Sequence, residues 1–152
     1  MGCQLLLTEP ALGPAVALIL LGEGVRLWAA SHIGRPSRTR DGSVGPLVRS
    51  GPYARLQNPL YVGNTLMAAG FGALSSPPLG LAWALVTALF YVPIVRWERQ
   101  RLQATHGDAY AAYRDGATSD APADWRRGVR SERSTLLVWS VALTALGLRS
   151  LL

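Results

Sequence analysis

The chain of 152 residues is long enough for one domain, and 49% of its residues are hydrophobic although its formal net charge is +6. A basic chain can bind nucleic acid, but its arginines are not interleaved with aromatic residues and no nucleic-acid-binding motif is present, so we expect no nucleic-acid partner. One cysteine and two histidines are too few for a disulfide framework or a Cys/His metal cluster, so we expect no metal site.

The hydrophobic residues are concentrated in long stretches. Residues 56–95 and 134–148 contain no Asp, Glu, Lys, Arg or His, and the N-terminal stretch 10–28 contains only Glu23 and Arg26. Stretches of this length and composition are typical of transmembrane helices. We therefore predict an all-α, polytopic helical membrane protein that forms a single domain over residues 1–152. Its four spans are expected at about 10–30, 59–76, 79–97 and 135–152.

A tight helical hairpin is predicted inside the longest uncharged stretch. The sequence Ser75-Ser76-Pro77-Pro78 interrupts this stretch, and adjacent prolines supply no backbone donors and bias the preceding residue away from helix. Each arm approaches the ~20 residues that cross about 30 Å of hydrocarbon, although the first arm is short.

The arginines predict the orientation in the membrane. All 15 basic residues are arginines, and most of them lie between residues 31 and 58 or between residues 96 and 134. Because excess positive charge marks the cytoplasmic side, we expect segments 31–58 and 98–134 on that side. Arginine without lysine is typical of a GC-rich genome and favours a bacterial inner membrane over the endoplasmic reticulum.

The first of two polar stretches that border the hairpin is Gly45–Asn64, with the sequence GPLVRSGPYARLQNPLYVGN. Asn58 followed by Pro59 is typical of a helix start, with Asn as the N-cap and Pro at the first helical position. Gly63 and Gly70 allow close helix packing in lipid. Taken alone, each of these features has such a purely structural explanation.

The second polar stretch is Arg96–Asp115. Glu98 lies at the predicted boundary of the third span, where a carboxylate is costly unless it is paired or faces a polar cavity. It is therefore either a functional residue or one partner of an interfacial ion pair with a nearby arginine. Gly107 is expected to end the helix, and Tyr110 and Tyr113 share one face of a short following helix, which we expect to pack at the membrane interface.

The order of these features resembles a known family. The sequence S-G-P-Y is followed by R-x-x-N-P-x-Y-x-G, a predicted helical hairpin, the boundary Glu, and G-x-x-Y-x-x-Y. Over roughly Gly45–Tyr113 this combination is similar to the isoprenylcysteine carboxyl methyltransferase family, which is related to phospholipid N-methyltransferases. The resemblance implies a membrane methyltransferase with an S-adenosylmethionine pocket at the cytoplasmic face. It also implies a lipid or lipid-linked substrate that enters from the bilayer.

The resemblance also assigns cofactor contacts by position. In the family, the cofactor is lined by the short segment before S-G-x-Y, the Tyr of that motif, the H-P-x-Y tetrad and a Glu nine residues before the later Gly. The corresponding residues here are Gly45, Pro46, Leu47, Val48, Tyr53, Asn58, Pro59, Leu60, Tyr61 and Glu98. No catalytic nucleophile is assigned, because methyl transfer from a sulfonium depends mainly on positioning and desolvation.

Two departures from the family pattern affect the expected activity. Asn58 stands where the family usually has His, and Asn cannot carry a proton at neutral pH. Ile94 occupies the position of the substrate-binding Arg of the eukaryotic enzymes. Arg96 lies nearby on a different helical face and is the remaining candidate for a substrate contact.

Several functions remain open at this point. The acceptor can be an isoprenylcysteine-like carboxylate, which is already ionised at pH 7, or a phospholipid amine, which must first lose a proton. A non-catalytic membrane scaffold or assembly protein with a degenerate methyltransferase fold is the alternative. A small transporter subunit is disfavoured because, apart from Glu23 and Arg26, the predicted spans carry no buried charge.

Overall fold

A computed structural model describes residues 9–33 and 45–138, and within these ranges the fold is all-helical with no strand. The predicted all-α class is therefore confirmed. The elements are α1 (Glu9–His32), a single 3₁₀ turn (Gly51–Ala54), α2 (Pro59–Ala73), α3 (Pro77–Arg114) and α4 (Trp125–Ser131), and residues 133–138 are again helical. The short helix α4 was not predicted.

Helices α2 and α3 form the predicted hairpin. Ser76 is the N-cap of α3, and its side chain accepts a hydrogen bond from the Leu79 backbone N–H at 3.4 Å. Pro77 and Pro78 occupy the first helical positions, where their missing N–H groups cost nothing because these donors have no partner inside a helix. The serine and the two prolines therefore end one helix and start the next within a few residues.

Two described helices are long and apolar enough to cross a membrane. They are the Leu12–His32 part of α1 and the whole of α3. Large apolar side chains along α3 are exposed in the isolated chain, among them Leu89 at 68% and Phe90 at 67% of their maximal area, which fits contact with lipid. Helix α2 has 15 residues, and the predicted span 135–152 lies mostly outside the described residues.

Small residues make the contacts between α1 and α2. A Cβ atom added at Gly63 would lie 2.7 Å from the Gly22 carbonyl oxygen, and one at Gly70 would lie 2.7 Å from the Ala15 carbonyl oxygen. The two backbones can approach this closely only because glycine has no side chain. The expected packing role of Gly63 and Gly70 is confirmed.

Gly107 breaks the helical geometry of α3, as predicted. Its φ of 45° and ψ of −118° are not helical, and the chain resumes a helix up to Arg114. Tyr110 and Tyr113, which we expected to pack at the membrane interface, are both buried within the protein, with 2% and 9% of their area exposed. The reason is a hydrogen bond of 2.8 Å from the Tyr113 hydroxyl to the Tyr53 backbone carbonyl, which holds this helix against the Gly51–Ala54 turn.

Candidate functional site

The boundary carboxylate and the N-P-x-Y motif meet across the hairpin. Tyr61 lies in the first turn of α2, where Asn58 and Pro59 start the helix, and Glu98 lies on α3. The Tyr61 hydroxyl donates a hydrogen bond of 2.6 Å to Glu98 Oε1, and both side chains are half-buried. Among the described residues, the side-chain contact of Glu98 is thus with a tyrosine hydroxyl and not with a nearby arginine.

The ring of Tyr61 also stacks on a second tyrosine ring. The Tyr61 and Tyr91 rings lie nearly parallel, with 4.2 Å between their centroids and 16° between their planes. Tyr91 is on α3, close to two helical turns before Glu98, so one helix contacts Tyr61 through both the ring and the hydroxyl. The position of Tyr61 is therefore fixed by contacts at two points.

The segment that precedes S-G-P-Y contacts the far end of α3. His106 Nε2 lies 3.1 Å from the Gly45 carbonyl oxygen. Because a carbonyl oxygen only accepts, this nitrogen must carry the proton. His106 thus helps to fix this segment at the end of α3. Of the three following residues, Pro46 is exposed, while Leu47 and Val48 are half-buried.

The Gly51–Ala54 turn is built on the end of α1. His32, the last residue of α1, lies with its Nδ1 3.0 Å from Ser50 Oγ. Its ring covers Gly51 so closely that a Cβ there would be 2.3 Å from His32 Nε2, and Gly51 also has a φ of +58° that favours glycine. Tyr53 is buried in this turn. The S-G-P-Y motif therefore has a structural requirement for its glycine.

Asn58 is the N-cap residue of α2 by position, but its side chain makes no capping hydrogen bond. Its backbone carbonyl accepts from the Tyr61 and Val62 N–H groups at 3.1 and 3.3 Å. Pro59 is buried and Leu60 is half-buried. The predicted helix start is confirmed, with Asn58 as the N-cap residue and Pro59 at the first helical position, although the half-buried amide of Asn58 does not take part in capping.

A polar cluster that sequence reasoning missed lies beside the tyrosine pair. Arg26 on α1 donates hydrogen bonds to Asn64 Oδ1 on α2 and to Glu132 Oε2, and its Nε lies 3.5 Å from Glu23 Oε2. Asn64 Nδ2 in turn donates to the Tyr91 hydroxyl at 2.7 Å. Of these residues only Glu23 and Arg26 had been noted, as charges inside an apolar stretch, and that signal does not reveal the partners.

Arg96, the candidate substrate contact, and Ile94 both lie on α3. Arg96 is exposed, and Ile94 is half-buried on the same helix. Among the described residues, no group of three or more His, Cys, Asp or Glu side chains is arranged to hold a metal ion.

The family model for phospholipid methyltransferases matches residues 11–109 of the chain. The chain belongs to the phospholipid methyltransferase family. The matched region contains every residue to which the resemblance assigned a cofactor contact, from Gly45 to Glu98, as well as Arg26, Asn64 and Tyr91. Glu132 lies beyond it. The suspected kinship with membrane methyltransferases is confirmed.

Two curated relatives of this phospholipid methyltransferase family member are named for metal resistance. The cobalt-zinc-cadmium resistance protein CzcN of Cupriavidus metallidurans is 40% identical over 111 residues, which cover 72% of this chain and 45% of the relative. The nickel-cobalt-cadmium resistance protein NccN of Alcaligenes xylosoxydans xylosoxydans is 36% identical over 94 residues, which cover 61% of this chain and 39% of the relative. The chain thus spans less than half the length of each. No solved structure matches it significantly.

Proposed function

We propose that the chain is an S-adenosylmethionine-dependent methyltransferase that transfers a methyl group to a lipophilic acceptor, either an isoprenylcysteine-like carboxylate or a phospholipid amine. Family membership supports the reaction class. The observation that carries the proposal is the hydrogen bond between Tyr61 and Glu98, because it joins two separately assigned cofactor positions at one place in the fold.

The chemistry of the side chains present fits the cofactor. A carboxylate has about four acceptor positions, and Tyr61 uses one of those on Glu98, so hydroxyl or amino groups of a ligand can be bound by the rest. Tyr91 covers one face of the Tyr61 ring, and the π face of a tyrosine attracts a cation such as a sulfonium. The Gly45–Val48 segment, which His106 holds at the end of α3, supplies further backbone groups.

The residues of the chain bind and orient the reactants in this mechanism. When bound, S-adenosylmethionine supplies a methyl group whose bond to sulfur breaks as a lone pair of the acceptor forms the new bond. Glu98 and Tyr61 hold the donor side in place, and the apolar surroundings of α2 and α3 exclude water from the reacting centre. A carboxylate acceptor needs no base, since it is already ionised at pH 7.

An amine acceptor must lose a proton, and neither of the two histidines is placed to accept it. His32 is engaged with Ser50, and His106 donates to Gly45, which leaves neither beside the tyrosine pair. Asn58, in place of the usual His, binds by hydrogen bonds but cannot take up a proton. On this proposal Asn58 serves binding, and a proton from an amine goes to water.

The location of the reaction is also proposed. The arginine distribution supports a cytoplasmic face for segments 31–58 and 98–134, and the exposed apolar side chains of α3 support substrate entry from the surrounding bilayer. We place the protein in a bacterial inner membrane on the basis of its arginine-only basic residues. Arg96 is exposed and lies two residues before Glu98, and we propose it as a substrate contact.

S-adenosylmethionine binding by calorimetry on the purified full chain tests the proposal. Glu98→Gln removes the charge but keeps the shape, so we expect affinity to fall at least about ten-fold, the effect of losing hydrogen bonds to a charged group. Tyr61→Phe should weaken binding less. Arg99→Gln is the matched control, because Arg99 is exposed beside Glu98 on α3 and should leave binding unchanged. A folded wild-type protein that does not bind the cofactor would refute the proposal.

The second candidate is a non-catalytic scaffold or assembly protein. It is favoured by the Asn58 and Ile94 departures and by relatives that are named for metal resistance and not for an enzymatic activity. Transfer of labelled methyl from the cofactor into a membrane lipid extract distinguishes the two functions. Label in lipid with wild type but not with Glu98→Ala excludes the scaffold, whereas cofactor binding without transfer to any lipid favours it.

A further inference from the structure

A continuous series of polar contacts connects the C-terminal part of the chain with the candidate site. It starts at Glu132, whose side chain is 1% exposed and accepts a hydrogen bond from Arg26 on α1. Arg26 also donates to Asn64 on α2, and Asn64 donates to the hydroxyl of Tyr91 on α3. Tyr91 then stacks on Tyr61. Three helices and the segment after α4 thus meet at these side chains.

The donor-only chemistry of Arg26 fixes the orientation of the Asn64 amide group. A guanidinium group only donates, so the Asn64 side-chain oxygen must face Arg26 and its NH₂ group must face the opposite way. The NH₂ group then donates to the Tyr91 hydroxyl at 2.7 Å, which restrains the Tyr91 ring. Because the ring of Tyr61 lies 4.2 Å from that of Tyr91, the restrained ring also restricts Tyr61.

The carboxylates around Arg26 hold its side chain, and with it the Asn64 amide, in this orientation. Its side chain is 16% exposed and has carboxylates of Glu132 and Glu23 within 4 Å. A largely buried arginine cannot rotate away from these partners without a large cost in free energy. The orientation of Asn64 is therefore fixed before any ligand arrives, which is the condition for a preorganised binding site.

We infer that Asn64 and Tyr91 are positioning residues that direct the Tyr61 hydroxyl to Glu98, and that Arg26, fixed by Glu132, sets the direction of the Asn64 amide. The inference rests on the proposed cofactor site and extends it to residues that the family resemblance did not assign. It also gives residue 132, which lies outside the family match, a role in the site.

Cofactor affinity of four single variants tests the inference. Tyr91→Phe keeps the stacking ring and deletes the hydroxyl, and we expect about five-fold weaker binding, the effect of one neutral hydrogen bond. Asn64→Leu should weaken binding at least as much. Asn64→Asp should retain most of the affinity, because a carboxylate accepts from both Arg26 and the Tyr91 hydroxyl. Thr87→Val, one turn before Tyr91 on the same helix, is the matched control and should bind as wild type.

A double variant separates positioning from a general loss of stability. If Tyr91 acts through Tyr61, Tyr91→Phe should add little to the defect of Tyr61→Phe, whereas independent effects would multiply. If the wild-type protein binds the cofactor and the variants Tyr91→Phe and Asn64→Leu bind it with the same affinity, the inference is overturned. The proposed function would then still stand. Multiplying effects in the double variant would also overturn it.

A second measurement needs no cofactor. The chain has five tyrosines, so uniform fluorotyrosine labelling gives five ¹⁹F resonances, and the loss of one in Tyr61→Phe identifies residue 61. We expect Asn64→Leu to move the Tyr61 resonance and Thr87→Val to leave it in place. If wild type binds no cofactor, the proposed function fails, and this resonance alone decides whether Asn64 orients Tyr61. An unchanged resonance would overturn the inference in either case.

Discussion

Replacement of Gly63 by alanine probes the close contact between α1 and α2. The added Cβ would lie 2.7 Å from both the Gly22 carbonyl oxygen and Arg26 Cγ. One of these atoms belongs to the backbone and the other to a side chain held by hydrogen bonds at its far end. To reach an ordinary contact distance of 3.4 Å, the helices must separate by about 0.7 Å.

The expected cost follows from two opposing effects. Overpacking of a tightly packed contact costs about 1–3 kcal/mol. Alanine is favoured over glycine within a helix by about 0.5–1 kcal/mol, which offsets part of this cost. We therefore expect Gly63→Ala to lower the free energy of unfolding by about 1–2 kcal/mol.

Reversible unfolding of the full chain in mixed detergent micelles, followed by circular dichroism, measures this free energy. Gly24→Ala is the matched control, because Gly24 is exposed on α1 and an added Cβ meets nothing within 4 Å. It should be neutral or slightly stabilising. Equal stability of Gly63→Ala and Gly24→Ala would show that the two helices do not approach each other as closely as the glycine contacts require.

Two further substitutions test other parts of the fold by the same unfolding measurement. Glu132→Ala leaves Arg26 short of a buried partner and should cost about 3 kcal/mol, whereas Arg127→Ala breaks an exposed ion pair with Asp124 and should cost less than about 1 kcal/mol; similar values would contradict the burial of Glu132. Gly107→Ala should cost about 1–2 kcal/mol although the added Cβ has open space, because the φ of 45° disfavours alanine; an unchanged stability would argue against that backbone conformation.

Local signals account for the features that were predicted correctly. The prolines at 77 and 78 and the glycine at 107 constrain the backbone through their own covalent structure, so their effect is visible without knowledge of the fold. The glycines at 63 and 70 are also local signals, since absent side chains permit close packing wherever the partner helix lies. The hairpin, the break in α3 and the α1–α2 contact therefore follow from the sequence.

Contacts between distant residues explain what was missed. Glu132 pairs with Arg26 over a separation of 106 residues, and the Tyr113 hydroxyl reaches the Tyr53 carbonyl over 60. Neither pair has a spacing that distinguishes it from other polar residues in the same stretches. The candidate site was assembled from the family resemblance, and its environment depends on tertiary packing that only the structure supplies.

The shortness of α2 affects the surroundings of the polar segment that precedes it. At 1.5 Å per residue its 15 residues rise about 22 Å, less than the ~30 Å of a hydrocarbon layer. If the hairpin tip rests at one surface, the first residue of α2 lies below the other surface, where backbone groups need partners within the protein. Side chains and backbone beyond residue 105 supply part of this need: His106 at Gly45, Tyr113 at Tyr53, and the Ser119 N–H at the Arg49 carbonyl. The end of α3 and the loop after it thus supply hydrogen-bond partners to the irregular segment that precedes the short helix.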